Sequence, residues 1–66
     1  MRYYITYGQG REYADTLADA VRLGNAATAT ATQDIVIYDH NDNEIARRDY
    51  IGPNYAGRAG FHDAWY

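Results

Sequence analysis

The chain has no cysteine, so disulfides and thiolate metal sites are excluded. A reducing compartment fits that absence. Its two histidines, His40 and His62, lie in different segments and do not make a zinc site. No lysine is present, and all six positive charges are arginines. No run approaches the roughly 20 apolar residues of a membrane-spanning helix. Met1–Tyr7 is too short and too polar for a signal-peptide core, so a cytoplasmic location is expected. There is a single proline, Pro53. What remains is 66 residues, enough for one domain over 1–66 with a small core. Chains of this size bury only about 60% of the surface they expose when unfolded. With the usual staples missing, tight local packing or self-association must supply stability.

The formal charge of −3 is concentrated in one stretch. In residues 1–33, Glu12, Asp15 and Asp19 balance Arg2, Arg11 and Arg22. Asp63 balances Arg58 in residues 50–66. Residues 34–49 hold Asp34, Asp39, Asp42, Glu44 and Asp49 against Arg47 and Arg48 alone, and so carry the whole excess. An acidic chain repels nucleic acid backbones, which disfavours direct DNA or RNA binding. It is suited instead to a basic protein surface.

Tyr3–Tyr7 is rich in aromatic and β-branched residues and predicts a strand. Gly8-Gln9-Gly10 punctuates it. Arg11–Ala14 is either a short returning strand or an extended lead-in to a helix. Thr16 and Asp19 have capping-box spacing, with Asp19 in place of the usual Glu or Gln, which predicts a helix over Thr16–Thr28. Leu17, Ala20, Val21, Gly24, Ala27 and Thr28 share its apolar face. Glycine at 24 on that face implies a close approach to the sheet. Asp34–Tyr38 and Glu44–Tyr50 predict an antiparallel hairpin around the turn Asp39–Asn43, with Asn41 or Asn43 in the left-handed conformation. Together these elements give an α+β fold: a small antiparallel sheet of three to four strands with one helix packed on one face, in the order β-(β)-α-β-β. Ile5, Ile35, Ile37 and Ile45 are expected to face the helix. Tyr4, Val36, Tyr38 and Tyr50 then form the opposite face. That second face is too apolar to be left bare. The glycine-rich, aromatic tail 51–66 is expected to pack through Tyr55, Phe61 and Trp65, either on the chain's own sheet or on a partner; a homodimer covering the face is the other solution.

No catalytic constellation stands out. The carboxylates fall in turns and on exposed faces, no cysteine nucleophile exists, and neither histidine has a triad logic around it; a non-enzyme without cofactor or metal is expected. A calcium loop beginning at Asp39 fails, because Glu44 stands where glycine is required and Tyr50 where glutamate is required. Gly8-Gln9-Gly10 lacks the third glycine and the helix start of a dinucleotide site. Arg58, Phe61 and Trp65 could stack single-stranded bases, but the acidic balance favours a tail packed on the sheet. The acidic hairpin is the feature with functional content. As a plain structural device, its charge guards a sheet edge against aggregation. As a binding device, Asp34, Asp39, Asp42, Glu44 and Asp49, with Tyr38 and Trp65 as aromatic anchors, would occupy a basic groove. A variant lacking the turn carboxylates Asp39, Asp42 and Glu44 is expected to stay folded.

In its type the chain resembles the small phage-encoded anti-CRISPR proteins: very short, acidic, cysteine-free, with no catalytic motif and an acidic hairpin over Asp34–Asp49. The resemblance implies a bacterial host cytoplasm and binding to a Cas effector subunit, where a basic DNA-recognising surface would be occluded, in some cases by mimicry of the duplex. It carries over no site residues. Two other classes fit the same composition: a small accessory or structural homo-oligomer, and an antitoxin-like regulator of a basic partner.

Overall fold

In the computed structural model, residues 2–8, 10–52, 60–62 and 64–66 are described. The elements run β1 (Tyr3–Tyr7), β2 (Gly10–Ala14), α1 (Leu17–Ala27), β3 (Ile35–Asp39) and β4 (Glu44–Arg48). They form one four-stranded antiparallel sheet in the order β2-β1-β3-β4, with the helix on one face. The Arg11–Ala14 segment is therefore a strand. Gly8 turns the chain into it at a φ of 84°, a conformation that costs glycine little.

The helix starts where its cap predicts. The Thr16 hydroxyl accepts from the Asp19 backbone N–H at 3.1 Å, which satisfies one of the free donors of the first turn. Ala20, Gly24 and Ala27 are buried along one stripe. These small side chains let the helix lie close over the sheet. Val21 and Leu23 flank the stripe, half-buried against the core. Leu17, expected on the buried face, is the first residue of the helix and is 41% exposed.

Below the helix, Ile5, Ile35 and Ile37 are fully buried. The fourth expected core isoleucine, Ile45, is not among them. A bulge interrupts the β3–β4 ladder: Ile37 pairs with Ala46, but Tyr38 pairs with Glu44. Ile45 is the extra residue. One inserted residue reverses which side chains point to which face. Ala46 therefore packs against the core cluster, and Ile45 stands 40% exposed. The same reversal corrects Tyr50. It packs on the helix side with Ile35 and Phe61 rather than on the opposite face.

Phe61 and Trp65 of the tail also lie on the helix side. Tyr50 and Phe61 form an isolated antiparallel bridge, and their rings meet edge-on at 5.2 Å. Phe61 is 2% exposed. Trp65 lies over Gly24, where a Cβ would collide with the indole. The close approach at Gly24 is thus chiefly to the tail, with the Ile35 side chain 3.4 Å from the same point. Tyr66 exchanges two backbone hydrogen bonds with Arg47, at 2.6 and 2.9 Å, along the outer edge of β4. Tyr55 lies outside the described residues. Among the described residues, no helix is long and apolar enough to cross a membrane.

Candidate partner-binding site

Each of the five hairpin carboxylates has a partner within the chain, and three of them, Asp34, Glu44 and Asp49, gather around Arg47. Arg47 points away from the helix in register with Val36. Its guanidinium lies 2.8 Å from Asp34, 3.3 Å from Glu44 and 3.8 Å from Asp49. The hydrogen bond from Arg47 to Glu44, helped by the nearby charges of Asp34 and Asp49, holds the guanidinium above its ordinary pKa. Asp34 also accepts from the Tyr50 backbone N–H at 2.8 Å, tying the two ends of the hairpin together. The Tyr66 hydroxyl donates to Asp49. Arg48 takes the other direction. It faces the helix and donates to the Asn25 side chain at 2.9 Å. Arg47 is consequently the one hairpin arginine among these carboxylates.

The turn is built by Asp39. One carboxylate oxygen accepts from the backbone N–H of Asn41 at 2.8 Å and of Asn43 at 2.9 Å, and the other from the Asn43 side chain at 3.3 Å. These donors, the Asn43 N–H foremost, lower its pKa below the ordinary 3.8. Asp39 is therefore a turn-former, and its removal is not structurally neutral as the sequence suggested. Asp42, and not Asn41 or Asn43, takes the left-handed conformation, with a φ of 65°. Its carboxylate accepts from the Tyr4 hydroxyl at 2.6 Å, which raises the Tyr4 pKa.

Of the two expected aromatic anchors, Tyr38 lies beside the acidic turn and Trp65 does not. Trp65 is half-buried on the helix side, its indole N–H donating to Asn25 at 2.9 Å. Phe61 is likewise committed to the core, so neither is placed to stack bases; Arg58 lies outside the described residues.

A residue that sequence reasoning passed over completes the aromatic row on the face opposite the helix. Tyr13 on β2, Tyr4 on β1 and Tyr38 on β3 are cross-strand partners and form a continuous row. Tyr4 stacks on Tyr38 at 5.0 Å and 20°, and tilts against Tyr13 at 5.9 Å. Arg11 lies 4.4 Å over the Tyr4 ring. The signal for Tyr13 was the alternation of Arg11 and Tyr13 with Glu12 and Ala14, legible only once Gly10–Ala14 is a strand. At one end of the row is a shallow depression of about 260 Å³ bordered by Arg2, Tyr4, Arg11, Tyr13, His40 and Asp42. Among the described residues, no group of three or more His, Asp or Glu is placed to hold a metal ion. No protein-family model matches the chain, and neither a curated protein nor a solved structure is detectably similar to it.

Proposed function

We propose that this is a non-catalytic binding protein whose acidic hairpin occupies a basic, nucleic-acid-binding surface of another protein, in the manner of the anti-CRISPR inhibitors it resembles. The carrying observation is the distribution of charge around the hairpin. Five carboxylates lie in residues 34–49, while Arg48 is turned to the helix side and Arg47 alone is left among them. Asp42 and Glu44 are exposed at the turn. Exposed pairs are worth about 0.2–1 kcal/mol each, so the affinity must come from several contacts desolvated together. Such contacts speed association and weaken with salt.

The test is interference. The chain is expressed in bacteria carrying defined, active CRISPR systems, and the plating efficiency of a targeted phage is measured. Plating should rise by orders of magnitude against at least one system. The combined variant Asp42→Asn, Glu44→Gln keeps the turn built by Asp39 and should lose that protection. Protection unchanged in the variant would show that the hairpin charge is only a guard on the sheet. No protection against any system would remove the Cas effector as the partner.

A further inference from the structure

Three of the described arginines are matched to acceptors. Arg22 pairs with Asp19 at 2.8 Å, Arg47 lies among three carboxylates, and Arg48 donates to the Asn25 side chain and the His62 carbonyl. Arg2 and Arg11 differ. Both are exposed, and among the described residues no carboxylate lies within ion-pair distance of either. Both border the same depression of about 260 Å³. Tyr3 pairs with Asp39, which sets Arg2 beside the β3–β4 turn and its residues His40 and Asp42. Arg11 reaches the same place along β2. Its guanidinium lies 4.4 Å over the Tyr4 ring and donates to the Tyr13 hydroxyl at 3.5 Å. Tyr4 is itself held, stacked on Tyr38 and donating to Asp42. The Arg11 guanidinium is therefore positioned before any ligand arrives, and little side-chain freedom is lost on binding.

Two guanidinium groups against the single carboxylate of Asp42 leave this depression with a net positive charge, on a chain whose formal charge is −3. Asp42 is also engaged, accepting from the Tyr4 hydroxyl at 2.6 Å. Beside the arginines stands Tyr13, 51% exposed, a flat ring on which a second ring can stack. We propose that the depression binds a phosphate monoester carried by a planar ring, a nucleoside monophosphate, with the phosphate between Arg2 and Arg11 and the base against Tyr13. Phosphate suits the pair better than carboxylate does. The two oxygens of a carboxylate are filled by one guanidinium fork, whereas the three terminal oxygens of a monoester can serve both. The His40 imidazole borders the same space and offers a further donor. The volume of about 260 Å³ is at the small end for ligand pockets, so it takes one phosphate and one ring. A longer nucleic acid would run on toward the acidic hairpin, whose carboxylates repel its backbone.

The test is titration of the full chain with adenosine monophosphate, followed by amide resonances. Saturable shifts should centre on Arg2, Arg11, Tyr13 and His40. Adenosine, inorganic phosphate and phenyl phosphate should each bind more weakly. Arg2→Gln and Arg11→Gln should each weaken binding about tenfold, the loss of one charge-assisted hydrogen bond. Arg22→Gln, on the helix and paired with Asp19, should leave it unchanged; the dispersion of the amide spectrum shows that each variant is folded. Asp42→Asn should tighten binding, because it removes the one opposing charge. No saturable shift at millimolar nucleotide, or shifts centred elsewhere, overturns the proposal. So does adenosine or inorganic phosphate binding as tightly as the monophosphate, since ring and phosphate are both required. Phenyl phosphate binding as tightly overturns the assignment to a nucleotide in favour of a phosphorylated aromatic side chain. Weaker binding by Asp42→Asn would also overturn it. The hairpin reading expects loss of phage protection when Asp42 and Glu44 are neutralised together and makes no demand on Arg2 or Arg11, so either proposal can fail alone.

Discussion

At the scale of single residues, two positions have roles set by their neighbours. Gly24 sits in the middle of a helix, where alanine would add about 1 kcal/mol of helix propensity. The Trp65 indole occupies the space that a methyl group would need. Overpacking of this kind costs about 1–3 kcal/mol, so Gly24→Ala should lower stability in denaturant titration. In a Trp65→Leu background the same substitution should be neutral or stabilising. Asp39 is the second case. Its carboxyl titrates below the usual value because backbone N–H groups stabilise the charged form. A depressed folded-state pKa contributes stability that is present above the unfolded value of about 3.9 and is lost as pH falls through the folded one. The backbone amide resonances of Asn41 and Asn43 should therefore move together with a midpoint below 3.8. A midpoint at or above that value would mean that the carboxylate does not organise the turn.

At the scale of elements, the helix is specified locally and the second hairpin is not. Thr16→Ala should cost about 1 kcal/mol, the usual loss for such a cap, read from chemical denaturation. Val21→Asp should cost more, since it sets a charge among half-buried side chains that pack on the core. If Val21→Asp melts at the parent temperature, that helix face does not contribute to the core. For β4, alternation alone placed Ile45 inward. Ile45 and Ala46 are both apolar, so either register buries one of them, and no residue in the strand announces the bulge. The choice is made by residues beyond Ala46: the observed register turns Tyr50 toward Phe61 and Arg48 toward Asn25. It also sends Arg47 outward to three carboxylates.

At the scale of the whole molecule, the tail completes the core. Ala27, Ile35 and Phe61 form a second buried cluster, with Tyr50 and Trp65 packed against it. For a chain with so small a core, these aromatics are a large share of the apolar surface removed from water. Trp65 emission in the free protein should accordingly be blue-shifted relative to the unfolded chain. A water-exposed spectrum under native conditions would show that the indole is not seated over Gly24. With Phe61 and Trp65 on the helix side, the proposed partner contacts fall to the carboxylates of the acidic turn and not to the tail.

The sequence by itself determined the elements whose signals are local: the Thr16 cap, the apolar helical stripe, the β-rich runs around Ile5 and Ile37, and the α+β order built from them. It also placed the excess negative charge in residues 34–49, because charge counting needs no geometry. Tertiary structure decided what depends on residues distant in the chain. Trp65 was drawn to Gly24, 41 positions earlier by number, and so left the acidic hairpin it was expected to anchor. One bulge exchanged Ile45 for Ala46 and gathered Asp34, Glu44 and Asp49 around Arg47. Tyr13 joined Tyr4 and Tyr38 only through strand pairing. The physical reason is common to all three: a side chain's face in a sheet is fixed by pairing register, and register is chosen by the packing of the complete fold.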